Sequence, residues 1–148
     1  LDACDSFRVK VEMIAWCRRR KLPIVVSGSA GGRTDPTQIR LRDLSRTEHD
    51  ALLALVRKKL RAEVNFPKNR DRYSGVQAVY PLENVKYPQA DGSVCGLRPQ
   101  LGADAALKLD CGVGLGAATH ITGAFAFAMV GKALELLAKP RKVMPGSD

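Results

Sequence analysis

The residues of this chain best suited to chemistry stand at its start and in a second group late in the sequence. Asp2 and Asp5 form a D-x-x-D pair within Leu1-Asp2-Ala3-Cys4-Asp5-Ser6. An apolar residue, paired acids and a helix-starting Ser read as the mouth of a strand-to-helix turn in a parallel sheet, where doubly wound proteins bind ligands. A carboxylate there, Asp5, can hold Mg²⁺ beside a triphosphate, because that ion favours hard oxygen ligands. The bland alternative is a turn or capping acid. Lys10, on the first helical turn, either reaches the same pocket or is a solvated lysine. Cys111 precedes Gly112-x-Gly114-x-Gly116 and a helix. A helix N-terminus favours the reactive thiolate, although buried inert cysteines are common. The G-x-G-x-G spacing departs from the dinucleotide fingerprint and reads better as glycines that let a small-residue helix pack closely. Cys95 is a second thiol candidate on a loop, and Cys17 falls in an apolar helix.

Basic residues supply the other chemistry. The net charge is +9 over 148 residues, which points to an anionic partner. One run is Arg18-Arg19-Arg20-Lys21. The other stretches from Arg57 to Arg72 and holds Arg57, Lys58, Lys59, Arg61, Lys68, Arg70 and Arg72. Clustered cations are the footprint of phosphate-backbone binding, with Phe66 and Tyr73 available to stack on a base. A solvated face is the dull alternative, and two runs in one small basic chain favour RNA.

These residues need a scaffold of one-domain length. Phe7–Arg20 is predicted as a helix capped by Ser6 and stopped by Pro23, with its cations at the negative end of the dipole. Ile24–Val26 is predicted as a buried strand, Gly28–Thr37 as a glycine-rich loop and Gln38–Arg42 as a half-exposed strand. A helix capped by Thr47 should run from about Asp50 to Ala62. Residues 63–75 read as a basic, mobile loop, Val76–Tyr80 as a strand and Pro88–Asp104 as a long loop. A final helix, about Ala117–Ala138, nearly reaches membrane-spanning length. It reads as a buried or dimer-packing element rather than a span, lined by Ala118, Ile121, Thr122, Phe125, Met129, Ala133 and Leu136. The four cysteines include no C-x-x-C pair and no signal peptide is visible, so a reduced, cytoplasmic protein without zinc is expected.

Taken in order, DACDSFRVK, AWCRRRKLPIVVSGSAGGRTDPTQIRLRDLSRT, VKYPQADGSVCGL and LDCGVGLGAATHITGAFAF resemble the tRNA threonylcarbamoyladenosine dehydratases. These are similar to the ubiquitin-activating and HesA/MoeB/ThiF adenylyltransferases. The resemblance implies an α/β fold, the C-terminal part of a Rossmann-like adenylation domain with a mixed sheet and flanking helices. Residues 1–148 would be a single such portion, with the N-terminal phosphate-loop half absent. It implies ATP-dependent cyclisation of the threonylcarbamoyl group on adenosine at tRNA position 37, through an adenylated carboxylate, an activity belonging to the intact parent protein. Asp5 matches the acid that attends Mg-ATP, Lys10 stands where relatives place a basic residue, and Cys111 matches a cysteine linked to a sulfur-relay partner such as a cysteine desulfurase. ATP, Mg²⁺ and a monovalent cation would be its cofactors, and tRNA and a second copy of the chain its partners. Two other readings stay open. One is an adenylyltransferase that activates a ubiquitin-like sulfur carrier, although such enzymes usually carry two C-x-x-C pairs. The other is a non-catalytic RNA-binding fragment.

Overall fold

The computed structural model describes residues 1–89, 91–96 and 116–138. Three strands form the central sheet: β1 (Val25–Ser27), β2 (Ile39–Asp43) and β3 (Gln77–Pro81), in the order β1-β3-β2. β1 runs parallel to β3, with Val26 opposite Ala78, and β2 runs antiparallel to β3, with Leu41 opposite Val79. The sheet is therefore mixed. At the free edge of β1, Asp2 makes a parallel bridge to Val26, its N–H donating to the Val25 carbonyl and its own carbonyl accepting from Ser27, both at 2.9 Å. Asp2 thus joins the edge of the sheet through a single bridge.

Side-chain alternation along the strands makes two cores, one on each face. Val26, Ala78 and Tyr80 pack with Val11 and Ile14 of α1 (Phe7–Arg19) and with Leu53, Val56 and Leu60 of α2 (Ala51–Glu63). Val25 and Val79 point the other way, onto Ile121, Phe125 and Met129 of α3 (Thr119–Ala138). The molecule is a three-layer sandwich of α1 and α2, sheet, and α3. These three helices and three strands fall within two residues of their sequence-predicted bounds.

Several local expectations change. Ser6 precedes α1 but makes no side-chain capping bond. The helix ends before Pro23 because Lys21 turns left-handed, at φ 55°, and Leu22 donates back to the Cys17 carbonyl at 2.9 Å. Asp50, not Thr47, caps α2, its carboxylate accepting from the Leu53 N–H at 2.8 Å. Thr47 instead donates to the Leu44 carbonyl and accepts from Arg57. Part of the expected long loop is a hairpin, β4 (Tyr87–Pro88) against β5 (Val94–Cys95), with Gly92 at φ 81° in its turn. α3 is long and apolar enough to cross a membrane by length and composition. One of its faces lies on the sheet, while Phe127 and Leu137 are 81% and 79% exposed. The expectation of a buried helix holds for that one face only.

Candidate functional site

The site begins with what Asp2 does. Its backbone extends the sheet, and its carboxylate then turns the chain: Oδ1 accepts from the Cys4 N–H at 3.0 Å, and Oδ2 meets Lys10 Nζ at 3.0 Å. Both side chains of that ion pair are fully buried. A buried pair of this kind is costly to break, because either partner left alone is an uncompensated charge. It fixes the turn, and Asp5 follows as an exposed residue three positions past the Asp2 bridge, ahead of α1. Lys10 does not reach a ligand pocket. Its ammonium ends on Asp2 inside the protein, and its task is to position the turn that presents Asp5.

The same edge of the sheet is finished by the glycine-rich loop. Gly28 donates to the Val79 carbonyl at 2.8 Å, and Ser29 N–H donates to Asp50 Oδ2 at 2.7 Å. A Cβ at Gly28 would lie 2.3 Å from that oxygen, so only glycine lets the α2 cap reach the loop. Burial pushes the Asp50 carboxyl above its usual range, against the Leu53 and Ser29 N–H groups and the Arg33 and Arg57 cations. Arg33 is itself buried and donates from Nη2 to the His49 carbonyl at 3.1 Å. Among the described residues its Nε and Nη1 have no partner, which leaves a buried cation with donors to spare for an acceptor.

Glu83, beyond β3, closes the far side of the loop. Its Oε2 accepts from the Thr34 and Asp35 N–H groups at 2.8 and 2.9 Å, and Oε1 accepts from the Thr34 hydroxyl at 2.8 Å and lies 3.0 Å from Lys86 Nζ. Burial works against its charge. The Asp35 and Thr34 N–H groups, Lys86 and the Thr34 hydroxyl overcome that and hold its pKa at about 2. His120 at the start of α3 meets the Thr34 carbonyl at 3.0 Å, and Gly32 donates to the Gly116 carbonyl at 3.1 Å. Asp2, Arg33, Asp50 and Glu83 escaped the sequence reading as site-building residues. Only the first carried a signal, as half of the D-x-x-D pair.

The cationic residues lie elsewhere. α1 starts at the Asp5 edge and α2 starts beside Ser29, so both helices carry their C-terminal cations to the opposite end of the sheet. There Arg18 packs over the Phe66 ring at 5.1 Å from its centroid, so the two basic runs meet. Lys58, Lys68, Arg70 and Arg72 are exposed, as are Arg19, Arg20 and Lys21. Lys59 pairs with Glu63 at 2.6 Å, and Arg61 donates to the Pro67 carbonyl at 3.1 Å. Arg57 is half-buried against Thr47. Phe66 is 2% exposed and cannot stack on a base, which leaves Tyr73 as the available ring of the pair. Cys4 and Cys17 are free thiols. Cys111 and its glycines up to residue 115 lie outside the described residues. Among the described residues, no three of His, Cys, Asp and Glu group as a metal site.

No family model matches the chain. Curated relatives do. It is 43% identical over 135 residues, 91% of this chain and 50% of the relative, to tRNA threonylcarbamoyladenosine dehydratase of Escherichia coli. It is 38% identical over 141 residues, 95% of this chain and 51% of the relative, to that of Haemophilus influenzae. The chain spans about half the length of these relatives. Among solved structures, TcdA (CsdL) superposes with a TM-score of 0.76 at 40% identity, over 92% of this chain and 48% of that one. The E. coli tRNA N6-threonylcarbamoyladenosine dehydratase in complex with ATP gives 0.69 at 36% identity, over 90% and 45%.

Proposed function

We propose that this chain, homologous over nearly its whole length to the tRNA threonylcarbamoyladenosine dehydratases, works as part of such an enzyme. The reaction is the ATP-dependent dehydration, with ring closure, of the threonylcarbamoyl group on a tRNA adenosine, in the cytoplasm. The observation that carries this reading is Asp5, exposed on a turn that follows the Asp2 bridge to β1 and is held by a buried ion pair. Mg-ATP is the cofactor, and when bound it supplies the activation that makes a carboxylate oxygen a leaving group. A single fixed carboxylate suits Mg²⁺, which keeps most of its shell for water and phosphate and takes one or two protein acids. Asp5 would hold the ion, and Asp2 with Lys10 would keep Asp5 from drifting. The glycine-rich loop, tied at Asp50 and Glu83, walls the same edge. The cationic end gives the tRNA backbone its grip through Arg18, Arg19, Arg20, Lys21, Arg57, Lys58, Lys59, Arg61, Lys68, Arg70 and Arg72. Cys111 has no step in this reading, since ring closure transfers no sulfur.

The test is Asp5→Asn in a polypeptide as long as the relatives, assayed for ring closure on modified tRNA. Removing the charge with little change of shape should lower turnover by roughly two to three orders of magnitude while the urea midpoint stays unchanged. An Asn variant that closes the ring at the normal rate would take Asp5 out of the site and leave this function without its carrying residue.

A further inference from the structure

At the end of the sheet away from Asp5, the Tyr73 ring stands in the open. Tyr73 is 66% exposed, and the Arg46 guanidinium covers one face of its ring at 4.2 Å from the centroid. The stack is anchored on both sides. Arg46 donates from Nε to the Arg70 carbonyl at 3.2 Å and from Nη2 to the Asp71 carbonyl at 3.3 Å. Arg70 returns the bond from Nη2 to the Arg46 carbonyl at 3.3 Å. Beneath them, one buried carboxylate ties the two arms together. Asp43 Oδ1 accepts from the N–H and hydroxyl of Ser45 at 2.9 and 2.8 Å, and from those of Ser74 at 3.0 and 2.7 Å. Its Oδ2 accepts from the Gly75 N–H at 2.9 Å. Ser45 adjoins Arg46 and Ser74 adjoins Tyr73, so Asp43 sets the guanidinium and the ring against each other. Burial works against the Asp43 charge, but the Ser74 and Ser45 donors hold its pKa below the usual range.

A phenol ring backed by a fixed cation has one face left for a flat partner, and the cation behind it strengthens stacking of an electron-rich base. Arg42 and Arg70 flank it, bridged through Glu48, with side chains 47% and 60% exposed. Lys68 and Arg72 are exposed in the same turn. A polyanion with flat rings fits this arrangement. An acidic peptide would satisfy the cations and leave the ring unused. Resting on the RNA reading of the proposed function, we infer that Arg46 and Tyr73 form a stacking platform for one unpaired nucleotide of a bound RNA, its flanking phosphates meeting Arg42, Lys68, Arg70 and Arg72. Helix α1, which runs between the two ends, has 13 residues, and at about 1.5 Å per residue the platform lies roughly 20 Å from Asp5. It therefore contributes to affinity and takes no part at the reacting atoms.

The probe is an RNA hairpin carrying 2-aminopurine at an unpaired loop position, titrated with this chain at fixed salt beside a fully paired duplex of equal length. Stacking should quench the 2-aminopurine. Tyr73→Ala should abolish the quench and weaken hairpin binding by about 5- to 100-fold, the loss typical of one base-stacking ring. Duplex binding should not move, and Tyr73→Phe should behave as the parent chain. Tyr73 is exposed, so its loss leaves the core intact. If Tyr73→Ala binds the hairpin as tightly as the parent chain, the platform is only part of a charged face while the RNA reading stands. If the parent chain binds neither RNA, or binds an acidic peptide equally well, the RNA reading itself falls and the platform with it.

Discussion

The two ends of the central sheet use charged side chains for opposite purposes. At the Asp5 edge, Asp2, Lys10, Arg33, Asp50 and Glu83 are all buried, and each holds backbone or another charge in one place. At the other end, Arg42, Glu48, Lys59, Glu63 and Arg70 pair at 2.6–3.4 Å with side chains 36–60% exposed. Distances alone do not separate the two sets. Burial does. A charge taken out of water must be compensated in full, so its partners become fixed architecture. An exposed pair gains little in high dielectric and is exchanged readily for a phosphate. The edge that carries Asp5 is built from the first kind, and the end that gathers the cationic runs from the second.

The sharpest way to break this contrast is to remove one cation from each end. Lys10→Met leaves Asp2 buried with only the Cys4 N–H, and should cost about 3–5 kcal/mol. That is a large part of the roughly 5–15 kcal/mol that holds a domain together, so the urea midpoint should drop steeply. Lys59→Met removes an exposed pair to Glu63 that is shorter than the Lys10–Asp2 contact. It should change stability by no more than about 0.5 kcal/mol. Equal midpoints for the two variants would show that burial is not what distinguishes the ends.

An acid titration sharpens the comparison within the Asp5 edge. Glu83 is held at about 2 in the fold against an ordinary 4.5. Its stabilising contribution is therefore complete above about pH 4.5 and lost as pH falls toward 2. Asp50 runs the other way, since burial raises its pKa and its ionisation opposes folding. Glu83→Gln keeps the shape and removes the charge. It should be less stable than the parent chain at neutral pH and should converge with it as pH falls through that window, because both then lack the carboxylate. A constant gap between the two from pH 6 to 2, followed by urea midpoint, would mean that the Thr34–Asp35 clasp does not depend on a charged Glu83.

Much of this scaffold is legible in the residues. Apolar spacing gives the three helices and the three strands of the central sheet. The parts that are not legible share one cause: they depend on contacts distant in sequence. Lys10 looks like a solvated lysine until the sheet brings Asp2 beneath it. Asp50 looks like the first residue of a helix capped by Thr47 until Ser29, 21 positions away, donates to it. Glu83 lies 48 and 49 positions from the N–H groups that it accepts. Phe66 reads as a ring free to stack until the α1–α2 contact and Arg18 cover it. A cation pattern points to an anionic partner, but it does not reveal that the two basic runs meet at the far end of the sheet from Asp5.

The smallest stability effect falls at the exposed end, and there the comparison makes its most specific demand. Glu48 bridges Arg42 at 3.1 Å and Arg70 at 3.4 Å, and it is half-buried beside the Arg46–Tyr73 stack. Glu48→Gln removes one negative charge and frees two guanidinium groups, with the side-chain shape retained. Stability should move by about 0.5 kcal/mol or less, since both pairs are exposed and screened. Binding should respond in the opposite sense. An RNA no longer has to displace a carboxylate from Arg42 and Arg70, so affinity should rise. The plot of log affinity against log salt should steepen, by about 0.7–0.9 for each added phosphate contact. The same substitution made for the buried Glu83 should weaken the fold and leave that slope alone. If Glu48→Gln binds RNA no more tightly than the parent chain, Arg42 and Arg70 do not meet phosphate. The exposed pairs would then be a solvated surface, and the division of labour between the two ends would reduce to burial alone.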